Sequence, residues 1–132
     1  PMTCALQFTD DVGTYESDLA DGCVLLSNKD VSNAENRPAA GVMACGSQEM
    51  NNAKLSELGL VSKENSLSYV FESGESTKFT YFTGNDMDGT SNVFHAGEIS
   101  FIHHHNADGQ SANDATKSLS IEAPDYNGGA KC

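Results

Sequence analysis

The feature that most constrains this chain is a succession of short runs rich in β-branched and aromatic residues, each closed by Gly, Asn, Asp or Ser. Cys23–Leu26, Gly41–Ala44, Leu67–Phe71, Lys78–Phe82, Ser91–Phe94, Glu98–Ile102 and Ser118–Ile121 all have this character. Short runs bounded by turn formers read as strands, whereas a helix needs apolar positions at three- and four-residue spacing over a longer window. Helical spacing occurs only in Ser47–Leu60, where Met50, Leu55, Leu58 and Leu60 can line a turn or two that Gly59 ends. The expectation is an all-β fold, an antiparallel sandwich with one short helical turn.

At 132 residues the chain has the size of one compact domain. Seven Lys and Arg stand against 19 Asp and Glu, a formal net charge of −12. The cations (Lys29, Arg37, Lys54, Lys63, Lys78, Lys117, Lys131) are scattered and form no stripe able to neutralise phosphates, so nucleic acid and anionic membranes are poor partners. No apolar run approaches the roughly 18–20 residues of a membrane-spanning helix. Acidity of this kind suits divalent cations, basic proteins or solubility alone.

The four cysteines, Cys4, Cys23, Cys45 and Cys132, include no C-x-x-C spacing, which removes support for zinc ribbons and thioredoxin-like chemistry. Two disulfides formed in an oxidising, extracellular setting are the expectation; reduced thiols would instead place the protein in the cytoplasm. Of the three possible connectivities, Cys23–Cys45 and Cys4–Cys132 are favoured. The first pair brackets a hairpin and the second ties the two ends together.

The chain also repeats itself. An offset of 56 residues lays Leu26–Asn33 on Phe82–Gly89, pairing Asp30 with Asp86, Asn36 with Asn92, and Ala40-Gly41 with Ala96-Gly97. Further on, an offset of 49 lays Glu64–Val70 on Asn113–Leu119. On that alignment the first copy carries seven additional residues, expected in the helical stretch. Two motifs result, about 23–71 and 76–123, within a domain spanning 23–132. Residues 1–22 form an acidic amino-terminal extension packed on it, a solvated edge or an added strand.

These motifs resemble those of the βγ-crystallin superfamily in its single-domain microbial or fungal form. That family's Greek key opens with an aromatic, four residues, a large apolar residue, one residue and a Gly; Phe82, Met87 and Gly89 have this spacing. Its calcium signature is two Asn/Asp, two variable residues, then Ser/Thr and Ser. Glu64-Asn65-Ser66-Leu67-Ser68-Tyr69 and Asn113-Asp114-Ala115-Thr116-Lys117-Ser118 look like degenerate versions of it. The resemblance implies a two-motif Greek-key β-sandwich and a pair of reciprocal calcium sites. The first would use the carbonyls of Ser27 and Ser66, the hydroxyl of Ser68 and the side chain of Asp114. The second would use the carbonyls of Thr83 and Ala115 and the side chain of Asn65, with Lys117 at the hydroxyl position. Calcium takes six to eight hard oxygen ligands, which carbonyls, hydroxyls and carboxylates supply. An ammonium offers no lone pair and repels the cation, so Lys117 is expected to disable the second site and leave modest affinity overall.

Other chemistry has little support. His103 and His105 would share one face of a strand and could hold zinc, copper or nickel, yet a specific site needs a third ligand. Asn106–Gly109 reads as an exposed turn. There is no G-x-S-x-G elbow or phosphate-binding G-x-x-x-x-G-K loop, and disulfide-bonded cysteines are poor nucleophiles. The acidic run Thr9–Asp21 lacks the ligand spacing of an EF-hand. The expectation is a secreted, monomeric, non-enzymatic protein with a structural, storage or stress role and calcium as its ligand. The alternative, implied by the same resemblance, is a secreted effector such as a killer-toxin-like protein or protease inhibitor. It would present the segment Gly46–Ser62 or the turn His103–Gly109 to a protein target of unknown identity.

Overall fold

The computed structural model describes residues 1–98 and 111–132. Among the described residues, the alternation of short apolar runs and polar turns produces eight strands in two four-stranded antiparallel sheets. They are β1 (Met2–Phe8), β2 (Cys23–Ser27), β3 (Ala39–Cys45), β4 (Gln48–Met50), β5 (Tyr69–Glu72), β6 (Lys78–Phe82), β7 (Ser91–His95) and β8 (Ser118–Glu122). The first sheet has the order β1-β3-β2-β5 and the second β4-β8-β6-β7. Two short helices, α1 (Val12–Asp18) and α2 (Asn52–Glu57), complete the elements used below.

β3-β2-β5 and β7-β6-β8 are the same three-stranded arrangement built twice. β4, which follows β3 in the chain, crosses to the other sheet and pairs with β8. That crossing is what makes the motif a Greek key, and it locks the two halves into one sandwich.

Between the sheets, Val24, Leu26, Val42, Ala44 and Val70 meet Phe79, Tyr81, Phe94, Leu119 and Ile121. Tyr81 and Phe94 pack edge to face with ring centroids 5.8 Å apart. The expected helical stretch yields α2, with Leu55 buried, and Gly59 past its end adopts φ +78°. Met50 belongs to β4, and Met50, Leu55 and Leu60 all enter the core. The segment Gly46–Ser62 is thus anchored on the core by these three residues, with Glu49, Asn51, Lys54 and Glu57 among those left exposed.

β2 is buried along its whole length because both of its faces are covered. Its outward residue Leu25 joins Phe8, Val12, Val31, Ala39 and Tyr69 in a second apolar layer. Residues 1–22 build this layer. β1 pairs with β3 over its full length, and α1 folds back across the outer face. Gly41 is required here, because a Cβ would lie 2.2 Å from the Phe8 ring and 2.8 Å from the Leu26 carbonyl oxygen.

Both disulfides form as expected, Cys4–Cys132 and Cys23–Cys45. Cys23 and Cys45 face each other as register partners of β2 and β3. No described helix is long and apolar enough to cross a membrane.

The backbone corrects the repeat alignment. The Ser68 amide donates to the Ser27 carbonyl at 3.0 Å, and the Lys117 amide donates to the Phe82 carbonyl at 2.9 Å. Ser27 therefore matches Phe82, one residue away from the offset of 56. The inward residues agree, since Val24 and Leu26 then match Phe79 and Tyr81. Gly41 lies in β3, whereas Gly97 lies in the turn after β7, so those glycines are not counterparts. The additional residues of the first copy also move. The β2–β3 connection runs 28–38 and the β6–β7 connection only 83–90, whereas 46–68 and 96–117 are nearly equal in length. The insertion therefore lies in the first hairpin and not in the helical stretch.

Candidate metal centre

The two signature loops meet at one end of the sandwich because each runs into a strand that pairs with the first strand of its own motif: β5 with β2, β8 with β6. They are tied to one another by three hydrogen bonds. The Ser66 amide donates to Asp114 Oδ1 at 2.9 Å, the Ser66 hydroxyl donates to the Thr116 carbonyl, and the Asp114 amide donates to the Leu67 carbonyl at 3.1 Å. Asp114 adopts φ +60°, a left-handed conformation that Asp and Asn tolerate better than most residues. That turn aims its carboxylate back across the gap.

Asn65, Ser66, Asp114, Thr116 and Lys117 line a shared cleft of about 100 Å³ together with Glu64. Ser66 is buried, and Asp114 is exposed at the cleft mouth. Of the residues expected for the first site, Ser66 and Asp114 are thus brought together directly. Ser27 and Ser68 are joined to each other through the backbone bond between β2 and the loop, and both are buried. By register Ser27 precedes the position matched to Thr83, so the hairpin carbonyl equivalent to that of Thr83 belongs to Asn28.

The residues expected for the second site lie on segments that the Lys117–Phe82 and Ser66–Thr116 bonds tie together, and each has its own surroundings. Asn65 lies in the cleft of Asp114. Thr83 closes its own hairpin, its amide donating to the Thr90 carbonyl at 2.9 Å and its hydroxyl accepting from the Thr90 amide at 2.9 Å. Ala115 packs against the core, and its amide donates to the Ala112 carbonyl.

Two further residues carry a signal that spacing did not reveal. Thr116 is completely buried, yet its hydroxyl has no hydrogen-bond partner; the buried Oδ1 of Asn113 likewise has none. Orphaned buried oxygens are uncommon in native folds, where water or an ion ordinarily satisfies them. Asn113 Nδ2 donates to Asp114 Oδ2 at 3.3 Å, which puts the Asn113 amide beside the Asp114 carboxylate, and Thr116 lines the same cleft as Asp114. Asn113 opens the second signature and Thr116 is one of its variable positions. The motif thus pointed to the loop without indicating which oxygens would be left free.

This donor set is hard, oxygen-only and poor in charge. Among the described residues no group of three or more His, Cys, Asp and Glu gathers to hold a metal. The cleft is lined by two acidic residues, Glu64 and Asp114, and two basic ones, Lys63 and Lys117. Such a set fits calcium held largely by neutral oxygens and does not fit the nitrogen and sulfur preferences of zinc or copper. His103–His105 lie outside the described residues.

The arrangement of two such sheets is similar to that of solved proteins. One is a βγ-crystallin domain from Flavobacterium johnsoniae, 15% identical, with a TM-score of 0.54 over 79% of this chain and 98% of that one. This chain has the βγ-crystallin fold. A second βγ-crystallin structure, described under the evolution of the eye lens βγ-crystallin domain fold, is 17% identical. It gives a TM-score of 0.57 over 92% of this chain and 98% of that one. No protein-family model and no curated protein matches the sequence.

Proposed function

We propose that this is a non-enzymatic βγ-crystallin-fold protein that binds one calcium ion with modest affinity between residues 62–68 and 113–117. Its role would be that of a disulfide-stapled, extracellular structural, storage or stress protein. The observation that carries the reading is the buried Thr116 hydroxyl without a hydrogen-bond partner, on a residue that lines one cleft with Ser66 and Asp114, next in the loop to a second orphaned oxygen, Asn113 Oδ1. Candidate ligands are the carbonyls of Ser66 and Asn28, the hydroxyls of Ser68 and Thr116, and the Asp114 carboxylate. Lys63 and Lys117 offset the local negative charge, which keeps affinity modest. Two disulfides support an oxidising compartment.

An ion bound only by the native state raises stability by about 2.7 kcal/mol at a hundredfold excess over Kd. The test is thermal unfolding with millimolar calcium against EDTA. The expected result is a higher melting temperature with calcium; identical curves would refute the proposal.

A further inference from the structure

A second cleft lies on the outer face of the first sheet, lined by none of the residues of the first. Between α1 and the outer face of that sheet is a cleft of about 310 Å³. Its floor is Leu6, Leu25 and Met43, one residue from each of β1, β2 and β3, and Leu19 closes the helix side. Volumes of this size are at the lower end of small-molecule sites, which pair an apolar floor with a few placed polar groups.

The cleft is preformed because α1 is fixed at both flanks. The Tyr15 hydroxyl donates to the Gln7 carbonyl at 2.9 Å and accepts from the Thr9 amide at 3.0 Å. Its ring packs edge to face on Phe8, with centroids 5.0 Å apart. On the far side of the helix the Tyr69 hydroxyl bonds Glu16 at 3.3 Å. A ligand entering here would not have to order the helix first, which removes one common cost of binding.

The mouth carries the chemistry. Asp10 and Asp18, both exposed, flank it, and Lys131 faces them from the carboxy-terminal tail. The Cys4–Cys132 disulfide holds that tail in place, and Cys4 is the register partner of Met43 on the floor. Two carboxylates against one ammonium, on a protein of net charge −12, favour a cationic head over an apolar floor.

We propose that this cleft binds small primary amines, an alkyl or aryl-alkyl body lying on Leu6, Leu25 and Met43 with its ammonium between Asp10 and Asp18. The test titrates n-hexylammonium, n-hexanol and n-hexanoate into the intact disulfide-bonded protein with EDTA present, following methyl signals by NMR. The expected result is saturable shifts at Leu6, Leu25 and Met43. The ammonium should bind about threefold to tenfold more tightly than the alcohol, and hexanoate weakest, as expected for exposed charge pairs. Asp10→Asn with Asp18→Asn should remove the preference for ammonium and leave hexanol binding unchanged. Thr14→Trp, from the exposed face of α1, should block all three while the melting temperature shows the fold intact. The proposal is overturned by absence of saturable shifts at these methyls into the tens of millimolar. Equal affinity for the three probes, or an ammonium preference that survives removal of both carboxylates, overturns it equally.

Discussion

The Ser66 amide donates to Oδ1 of Asp114 at 2.9 Å, joining the loop before β5 to the loop before β8. One carboxylate thus does two things: it fastens the motifs together and it supplies a formal negative charge beside the Asn113 amide and in the cleft that Thr116 lines.

These roles separate by substitution. Asp114→Asn keeps a short side chain that tolerates φ +60° and can still accept the Ser66 bond, so the melting temperature without calcium should change little. The shift on adding calcium should be lost. Asp114→Ala removes the bond as well and should lower stability without calcium by about 1 kcal/mol. Paired melts with calcium and with EDTA read both effects.

Lys117→Ser removes an ammonium from the same cleft and restores a hydroxyl. Taking away one positive charge a few ångströms from a divalent ion should raise affinity by roughly tenfold even at the dielectric of water. Calorimetry reads the change; unaltered affinity and stoichiometry would show that Lys117 does not act on the bound ion.

Glu72 gives a pH dependence. Its side chain is on the same face of β5 as core residue Val70 and is almost fully buried, with the Phe79 backbone as a polar neighbour. Burial pushes its pKa up to about 8, with the Glu98 carboxylate adding to the rise. Because the folded pKa lies above the unfolded one, the native state holds the extra proton between about pH 4.5 and pH 8. Stability from this group is therefore complete at the acidic end of that window and is lost as pH rises toward 8. Glu72→Gln should flatten this part of the slope, measured by denaturant unfolding from pH 5 to pH 8.5.

The disulfides should differ in their response to reductant. Cys23 and Cys45 are completely buried, whereas Cys132 is exposed and Cys4 half-buried. Access to an attacking thiolate therefore favours Cys4–Cys132. Mild dithiothreitol followed by alkylation and mass spectrometry should label Cys4 and Cys132 first. Simultaneous labelling of all four would indicate that reduction requires global unfolding.

Much of the sandwich is legible in sequence because its strands are short, apolar and closed by turn residues; Lys78–Phe82 forms a strand over the expected bounds. β1 is equally regular, with Met2, Cys4, Leu6 and Phe8 alternating with Thr3, Ala5 and Gln7. That period of two is overshadowed by the acidic residues that follow it. α1 is harder to see: seven residues including Gly13 have little intrinsic helix preference, and the Asp11 cap, the packing of Val12, Tyr15 and Leu19 and the hydrogen bonds of Tyr15 and Glu16 hold it. The one-residue shift in the repeat arises because unequal hairpins let Asp30 match Asp86 while their strands differ in register. Only the hydrogen bonds from Ser68 and Lys117 fix which strand residues correspond. The candidate site is legible as a loop, through Asn113-Asp114 and Glu64-Asn65. Its free oxygens are set by burial, which no spacing rule reports.

The most direct measurement is a crystal structure grown in millimolar calcium. The account predicts a single ion between residues 62–68 and 113–117, coordinated by the Asp114 carboxylate and neutral oxygens of the facing loop, with Thr116 or Asn113 no longer orphaned. An empty cleft with the same polar contacts, or an ion held elsewhere, would contradict it.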